Sequence, residues 1–315
     1  MMKYLLSVVV PIYNEEAVLK ELYDRLSGVL NKFGERHEII FINDGSKDRS
    51  LEIIAGLKEK DPSMAIIDLS RNFGKEIAMT AGLDYAKGDA VVIIDADLQD
   101  PPELIPELIK HWKEGFDVVY AKRTEREGET FLKRFTARLF YKLMGHVGQV
   151  RIPENTGDFR LLSRRAVDSL KQIREKHRFM KGLFTWIGYP QKEVLYKRDA
   201  RYAGKTSFNY WKLWNFAVTG ITSFTAIPLK LASYLGFLVS VGAFIFASFV
   251  VIKALLFGDP VAGYPSLMTV MLFLGGIQLM CIGIMGEYIG RLFDETKGRP
   301  LYLINQYLPA KDEER

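Results

Sequence analysis

The 315-residue sequence is poor in the two residue types that most often build zinc sites and covalent cross-links. It contains one cysteine, Cys281, and four histidines that are not spaced as metal ligands: His37, His111, His146 and His177. A single cysteine excludes a disulfide framework within the chain, and the two shortages together argue against a Cys/His metal site. The Gly-x-Gly-x-x-Gly and P-loop patterns are also missing, so the common dinucleotide and NTPase fingerprints are absent.

A large excess of charge of one sign is missing as well. The net charge is +5, which suits an anionic ligand or a membrane surface but does not by itself indicate nucleic-acid binding, and we predict no nucleic-acid partner. The chain starts Met1-Met2-Lys3 and runs directly into a strand pattern. We therefore expect no secretory signal peptide.

Residues 1 to about 205 alternate between strand-like and helix-like runs. Apolar residues at helical spacing follow each short apolar run, and Asn14 is placed to cap the first helix. This alternation predicts an α/β fold with a mostly parallel sheet covered by helices on both faces. The predicted strands are Leu6–Val10, Glu38–Ile42, Ala65–Leu69, Ala90–Ile94 and Asp117–Ala121.

The most informative segment is the end of the fourth predicted strand, where a buried apolar run meets Asp95 and Asp97. Side chains two residues apart on an extended chain point the same way, so both carboxylates can lie on one side of the strand's carboxyl end. Open α/β sheets bind their ligands at that edge. Two carboxylates there suit Mg²⁺ or Mn²⁺ with substrate phosphates. A solvated turn is the alternative for Asp-x-Asp alone, but Gln99 and the Pro101-Pro102 pair favour a site.

Polar and aromatic residues also follow the other predicted strands. They are Pro11, Tyr13, Asn14 and Glu15 after the first strand, Asp44 and Ser46 after the second, and Lys122 and Arg123 after the fifth. Loops are polar in any case, so each residue alone means little. Together at one sheet edge they offer the mixture that a nucleotide needs, with hydrogen bonds for base and ribose and a metal for the phosphates.

Two long apolar stretches, Leu231–Phe257 and Ser266–Ile289, distinguish the C-terminal part. Each exceeds the roughly 20 residues that cross a bilayer, and a buried helix of a soluble domain is the alternative. The connection Gly258–Pro265 carries no Lys or Arg, whereas the outer flanks carry Lys230, Arg291, Lys297 and Arg299. The positive-inside rule then predicts a helical hairpin with both termini in the cytoplasm.

Two further segments have the composition of membrane-surface elements. Phe131–Met144 places apolar residues on one helical face beside Lys133, Arg134, Arg138 and Lys142, as in helices that lie among lipid headgroups. Phe208–Pro228 offers Tyr210, Trp211, Trp214 and Phe216, residues that favour the membrane–water boundary. The alternative for both is a helix packed on the sheet or on a partner subunit, and a homo-oligomer is compatible with either.

Five motifs give the chain a specific likeness. They are Val10–Glu15, Asn43–Asp48, Ser70–Lys75, Asp95–Pro102 and Thr156–Arg160. With the two apolar stretches, they make nearly the whole chain resemble glycosyltransferase family 2, and within it the polyprenyl-phosphate glycosyltransferases. The likeness is greatest to bactoprenol glucosyltransferases, and the dolichol-phosphate mannose synthases are more distant. The Gln-x-x-Arg-Trp motif of processive polysaccharide synthases is not found.

The resemblance implies a GT-A fold and an inverting transfer of a sugar, glucose from UDP-glucose, to polyprenyl (undecaprenyl) phosphate. It implies a nucleotide site at Pro11, Tyr13, Glu15 and Asp44, to which we add Arg123 at the end of the fifth strand. It also implies that Asp95, Asp97 and Gln99 hold Mg²⁺ or Mn²⁺ and the diphosphate. Asp158 matches the family's catalytic aspartate, and Arg201 and Lys205 match the loop near the phosphates.

The chemistry of the acceptor bears on the role of Asp158. A phosphate monoester has a second pKa of about 6, so it is largely a dianion at neutral pH and needs little help from a general base. Asp158 can therefore orient the acceptor or a basic side chain instead of removing a proton, and a structural capping role is the alternative. The motifs do not indicate which sugar is bound, so another UDP-sugar or GDP-mannose remains an alternative donor. A catalytically silent nucleotide-sugar-binding membrane scaffold is the alternative to an enzyme.

We expect a multi-pass protein of the inner (plasma) membrane whose catalytic domain and termini are cytoplasmic. The predicted parts are a GT-A catalytic domain at residues 1–205, with its amphipathic helix at about 131–144, an interfacial segment at 206–228, two transmembrane helices within 229–290, and a cytoplasmic tail at 291–315.

Overall fold

The computed structural model describes residues 4–124, 153, 156–197, 227–257 and 263–311. The chain divides into two compact units, one formed by Met1–Gly220 with Pro300–Arg315 and the other by Ile221–Arg299. Each unit is described by itself.

Several predicted features lie outside the described residues. They are the amphipathic helix Phe131–Met144, all but the last two residues of the aromatic segment Phe208–Pro228, and the two basic residues Arg201 and Lys205. These features stay predictions.

The first unit is built on an eight-stranded sheet. Its strands are β1 (Leu5–Ile12), β2 (Arg36–Asn43), β3 (Met64–Leu69), β4 (Ala90–Ile93), β5 (Val118–Arg123), β6 (Thr156–Ser163), β7 (Gln191–Tyr196) and β8 (Ile304–Leu308). The order across the sheet is β7-β5-β6-β4-β1-β2-β3-β8. Pairing is parallel from β4 through β1 and β2 to β3 and between β5 and β7, while β6 and β8 run antiparallel to their neighbours. The mostly parallel α/β sheet predicted from the alternation is confirmed.

Helices pack on this sheet and bury apolar stripes against it. They are α1 (Leu19–Phe33), α2 (Ser50–Lys58), α3 (Lys75–Tyr85), α4 (Ile105–Lys113), α5 (Arg164–Gln172) and α6 (Met180–Trp186), with a short 3₁₀ turn at Pro102–Leu104. In α1, the buried residues Leu19, Leu22, Leu26 and Leu30 recur every three or four positions, which is the spacing of one helical face. Buried apolar residues of the strands and of these helices form one hydrophobic core between the sheet and the helices.

The expected cap of α1 by Asn14 is wrong. Val18 precedes the helix without a capping side chain, and Asn14 instead adopts a φ of 55° in the loop before it. Asparagine tolerates this left-handed conformation better than most residues. Its side-chain oxygen accepts a hydrogen bond from the backbone N–H of Lys47, 2.8 Å away.

Strand β8 lies within the segment predicted as a tail, and the sequence pattern did not indicate it. It pairs with β3 at the sheet edge, with Ile66 opposite Leu308. Tyr302, just before the strand, donates a hydrogen bond from its hydroxyl to Asp84 on α3 over 2.7 Å. Pairing with β3 and this side-chain bond join the C-terminal residues to the rest of the first unit.

The second unit consists of two long helices, α7 (Ile227–Phe257) and α8 (Tyr264–Thr296), which pack against each other. Large apolar side chains on both are exposed, among them Phe237, Phe244 and Phe273. Among the described residues, Phe273–Thr296 is long and apolar enough to cross a bilayer by length and composition, and Ala232–Phe246 is a shorter apolar stretch. So much exposed apolar surface indicates association with a membrane.

Candidate active site

The loops after β1 and β2 are held together by hydrogen bonds at the carboxyl edge of the sheet. The backbone N–H of Asn14 donates to the Ser46 hydroxyl over 3.0 Å, and that of Glu15 donates to the Ser50 hydroxyl over 2.9 Å. Each bond joins residues more than thirty positions apart. The predicted nucleotide residues Tyr13 and Glu15 therefore lie on a fixed pair of loops, where the Tyr13 side chain is 44% exposed and open to a ligand.

Asp44 is buried at the end of β2, and its carboxylate faces the loop that precedes α3. The two oxygens accept hydrogen bonds from the backbone N–H groups of Phe73 and Gly74, over 2.7 and 2.9 Å. Burial raises the pKa of Asp44, and these two hydrogen bonds oppose the rise. Asp44 was predicted to contact the nucleotide, and the structure adds that it orders the start of α3.

Gly45 makes the close approach of these two loops possible. It has a φ of 65°, and a Cβ atom there would lie 2.5 Å from backbone atoms of Arg71 and Asn72. Real Cβ contacts are never that short, so any side chain would push the loops apart. The Asn43–Asp48 and Ser70–Lys75 motifs are thus two halves of one packed arrangement.

The segment after β4 turns sharply where the predicted metal ligands lie. Leu98 has a φ of 56°, which is unfavourable for a bulky residue and costs on the order of 1–3 kcal/mol. Its side chain is nonetheless buried, so core packing holds the strained turn. The backbone N–H of Gln99 donates to a carboxylate oxygen of Asp97 over 3.2 Å. The turn therefore keeps Asp95, Asp97 and Gln99 together at the sheet edge.

Asp158 is brought to this turn by strand β6, which lies antiparallel beside β4. Lys75, the first residue of α3, joins the two aspartates. Its ammonium nitrogen lies 2.7 and 2.8 Å from the two oxygens of Asp95 and also contacts an oxygen of Asp158. The predicted catalytic aspartate and a predicted metal ligand are therefore held by one lysine.

The charged groups in this cluster shift one another's pKa values. Burial raises the pKa of Asp158, but attraction to Lys75 and then Lys181 outweighs it and holds the pKa well below the usual range for a carboxyl. Burial likewise lowers the pKa of Lys75, and its two aspartate partners reverse that shift. For Asp95, burial and the nearby negative charge of Asp158 leave the pKa raised despite Lys75. Asp158 is consequently a stable anion and a poor proton acceptor.

Arg160 supports Asp158 from beneath. Its guanidinium lies 3.9 Å from the centre of the Phe184 ring and donates hydrogen bonds to the carbonyl oxygens of Gly157 and Asp158, over 2.8 and 3.3 Å. Burial lowers the pKa of Arg160 to about 10, so the side chain stays charged at neutral pH. This buried cation fixes the backbone of β6 at Gly157 and Asp158.

A second polar group lies around Asp100. The Tyr196 hydroxyl donates to one carboxylate oxygen of Asp100, and Arg123 in turn donates to the Tyr196 oxygen over 3.3 Å. Burial, followed by the charge of Asp95, raises the pKa of Asp100 to about 6. The position of Gly157 lies close by, since a Cβ there would be 3.2 Å from the Arg123 guanidinium. Arg123 thus reaches the same end of the sheet as Asp95 and Asp158.

These residues fit a divalent cation bound together with phosphate oxygens. One oxygen each of Asp95, Asp100 and Asp158 is buried without a hydrogen-bond partner among the described residues, and the oxygen of Asp95 has only the charge of Lys75, 2.7 Å away, beside it. Within the described ranges, no group of three or more His, Cys, Asp or Glu side chains is placed to share a metal ion. A cation here would take the carboxylates of Asp95 and Asp97 and the amide oxygen of Gln99. Its remaining coordination positions would be left for a substrate, as is common at Mg²⁺ sites.

The predicted site residues that the structure describes lie in two places near the carboxyl edge of the sheet. The structure brings Asp95, Asp97, Gln99, Asp158 and Arg123 to one end of the sheet and places Tyr13, Glu15 and Asp44 on the neighbouring loops. Pro11 is buried within β1, opposite Ile42 of β2, so it can contribute only through its backbone or by shaping the edge. The individual roles of these residues stay predictions.

Sequence reasoning missed Lys75 as a site residue, although the Ser70–Lys75 motif contains it. A signal was available, because Lys75 follows the third predicted strand as the other site residues follow theirs. It also missed Glu76, which accepts a hydrogen bond from the Met180 backbone N–H over 2.9 Å. Burial, followed by the charge of Asp158, raises the pKa of Glu76 to about 7.

Comparison with known proteins assigns the family. Residues 7–171 match the family described as glycosyl transferase family 2, and residues 227–292 match the GtrB C-terminal hairpin. The chain is 52% identical over 311 residues to an uncharacterized glycosyltransferase of Synechocystis sp., covering 97% of this chain and 98% of the relative. It is 48% identical over 301 residues to the SfII prophage-derived bactoprenol glucosyl transferase of Shigella flexneri, covering 96% and 97%.

A third relative gives the same result. The prophage bactoprenol glucosyl transferase homolog of Escherichia coli (strain K12) is 48% identical over 301 residues, covering 96% of this chain and 98% of the relative. The family match spans the sheet edge described above, and the hairpin match spans α7 and nearly all of α8. The chain therefore belongs to glycosyl transferase family 2, as a glycosyltransferase that carries the GtrB C-terminal hairpin.

Proposed function

We propose that this glycosyltransferase moves glucose from UDP-glucose to polyprenyl (undecaprenyl) phosphate, with inversion at the anomeric carbon. The observation that carries the proposal is the pairing of Asp95 and Asp158 by Lys75 at the strand ends, beside loops suited to a nucleotide. Support for the acceptor and the sugar comes from the bactoprenol glucosyl transferases that are 48% identical over nearly the whole chain.

The donor nucleotide would lie across the loops after β1 and β2. The exposed ring of Tyr13 offers a surface for the base, and Glu15 and Arg123 offer hydrogen bonds and charge to the rest of the nucleotide. Asp44 would act mainly through the Phe73–Gly74 backbone that it holds. Arg201 and Lys205, which lie outside the described residues, would bind phosphate groups by charge-assisted hydrogen bonds.

Asp95, Asp97 and Gln99 would hold Mg²⁺ or Mn²⁺. Such an ion supplies positive charge that stabilises the departing nucleoside diphosphate. Gln99 would contribute a neutral oxygen ligand, and the strained turn at Leu98 would keep the two carboxylates in place. Metal affinity should therefore depend on both aspartates.

In the transfer, an oxygen of the acceptor phosphate forms a bond to the anomeric carbon while the bond from that carbon to the donor diphosphate breaks. The bonding electrons leave with the diphosphate. The acceptor is already largely dianionic at neutral pH, so no proton has to be removed from it. Asp158, paired with Lys75, would accordingly orient the reacting groups and not act as a base.

The membrane would supply the acceptor. A polyprenyl phosphate keeps its chain in the bilayer, and α7 and α8 expose the apolar side chains that suit lipid. We propose that the protein crosses the membrane twice and that its catalytic unit and both termini are cytoplasmic. The uncharged connection and the basic flanks predicted from the sequence support this orientation.

A donor panel tests the proposal. The full-length protein in detergent or in a bilayer is given polyprenyl phosphate, Mg²⁺ or Mn²⁺, and in turn UDP-glucose, other UDP-sugars and GDP-mannose. The expected result is a lipid-linked sugar formed fastest from UDP-glucose. Faster transfer from another donor would contradict the sugar assignment, and no lipid product from any donor would contradict the activity.

A further inference from the structure

The position of Lys75 has a consequence for how a metal ion enters the site. Its ammonium lies 2.7 and 2.8 Å from the two oxygens of Asp95. Both oxygens that a metal ion would use are therefore already facing a positive charge. Asp95 cannot turn an oxygen fully to a divalent cation while the ammonium keeps both contacts, because the two positive charges would repel each other.

Lys75 is held in this place by the surrounding structure and not by its own flexible stem alone. The two residues before it are bound through their backbone N–H groups to Asp44. The residue after it, Glu76, accepts a hydrogen bond from Met180 on the other side. The start of α3 is thus fixed on both sides, and the lysine is aimed at the two aspartates.

The two carboxylates that contact Lys75 differ in how easily each can exchange the ammonium group for another cation. Asp158 is nearly buried and belongs to β6, where Arg160 fixes the backbone. Asp95 lies on the turn with Asp97 and Gln99, which offer a divalent cation further oxygen ligands. A cation at that turn can replace the ammonium group at Asp95, while the ammonium group keeps its contact with Asp158.

We propose that Lys75 is a positioning residue that competes with the divalent cation for Asp95 and, in the metal-loaded enzyme, holds Asp158 in its working orientation. This inference rests on the function proposed above and adds a residue to it. Metal binding and the placement of Asp158 are then linked through one ammonium group, which has three N–H donors and can exchange one partner while keeping the other.

Direct measurement of Mn²⁺ binding tests the competition. The affinity of the full-length protein in detergent for Mn²⁺ alone is measured from the electron paramagnetic resonance signal of the free ion. Lys75→Met should bind Mn²⁺ more tightly by at least roughly fivefold, the change that repulsion between charges about 4 Å apart produces in a water-exposed site. The matched control is Arg71→Met, which removes one positive charge from the same loop, where the guanidinium stacks on Phe73. Its Mn²⁺ affinity should stay within about twofold of the unaltered protein.

Kinetics test the second half of the proposal. At saturating donor and Mn²⁺, Lys75→Met should lower kcat by about tenfold or more while changing KM for the donor much less, because Asp158 loses its partner. Lys75→Arg keeps the charge and should recover part of kcat without the gain in Mn²⁺ affinity. This variant also serves if Lys75→Met does not fold, since an Arg variant that keeps the charge but binds Mn²⁺ at least roughly fivefold more tightly than the unaltered protein would overturn the competition.

The outcomes separate this inference from the proposed function. It is overturned if Lys75→Met binds Mn²⁺ no more tightly than the unaltered protein, or if Arg71→Met gains as much affinity. It is also overturned if kcat does not fall. An unaltered protein that binds Mn²⁺ but transfers no sugar would refute the proposed function, while the Mn²⁺ comparison would still decide whether Lys75 competes for Asp95.

Discussion

Replacing Asp158 by Asn removes one negative charge from the centre of the site and keeps the shape of the side chain. The Asp158 carboxylate is 9% exposed, but its partner Lys75 is 43% exposed. Lys75 keeps Asp95 and its access to water. The buried Arg160 guanidinium keeps its hydrogen bonds to the backbone carbonyl oxygens at positions 157 and 158, so neither cation is left without a partner. The loss in the free energy of unfolding should therefore be about 1 kcal/mol, as for partly exposed pairs, and not the roughly 3–5 kcal/mol of a broken buried pair.

The same substitution should affect turnover much more than stability. If Asp158 orients the reacting groups, its charge acts in the transition state, where a single preorganised group commonly contributes a factor of about 100 or more in kcat. That factor corresponds to about 2.7 kcal/mol of activation free energy. Donor binding should change far less, because the proposed nucleotide site is on the loops after β1 and β2.

The assay compares initial transfer rates at increasing lipid phosphate with donor dissociation constants from calorimetry. Asp168→Asn is the matched control, since it makes the same change on the exposed side of α5, where Asp168 is 55% exposed beside Arg164. The control should behave as the unaltered protein does. The reasoning is refuted if Asp158→Asn abolishes donor binding but leaves the turnover of bound donor normal, because Asp158 would then belong to the nucleotide site.

Three other predictions follow from the structure and the sequence. Gly45→Ala should lower the free energy of unfolding by about 2 kcal/mol or more, because its methyl group meets the backbone of the facing loop; an unchanged urea midpoint would contradict that packing. Tyr302→Phe loses one hydrogen bond to Asp84 and should cost about 1 kcal/mol in the same assay; a shift no larger than the error would show that the bond contributes nothing. Asp259→Cys, with Cys281→Ser, should be labelled by an impermeant thiol reagent from outside the cell; labelling from the cytoplasmic side alone would reverse the orientation.

The central strands could be predicted because burial on both faces requires continuous apolar residues. Strand β4 is an example, since Ala90–Ile93 is wholly buried. Strand β8 could not be predicted in this way, because an edge strand has one neighbour and Ile304–Leu308 mixes polar and apolar residues. Its pairing with β3 depends on contacts about 240 positions apart, which no local pattern reports.

The candidate site was predicted to a similar extent. Strand-end position was enough to place Asp95, Asp97 and Arg123 at one edge of the sheet, because parallel strands share their carboxyl ends. The link between Asp95 and Asp158 could not be read from the residues alone, since it depends on β6 entering between β4 and β5. The role of Lys75 needed that strand order as well, because its partners lie 20 and 83 positions away.

The central claim is that metal-dependent sugar transfer to a lipid phosphate occurs at the turn after β4. Its most direct test is the initial rate at which labelled glucose passes from UDP-glucose to undecaprenyl phosphate, measured with Mn²⁺ for the full-length protein and for Asp97→Ala. Loss of this proposed metal ligand should remove most of the rate while the variant stays folded, as judged by an unchanged thermal unfolding profile. A lipid-linked product formed by Asp97→Ala at nearly the normal rate would contradict the account.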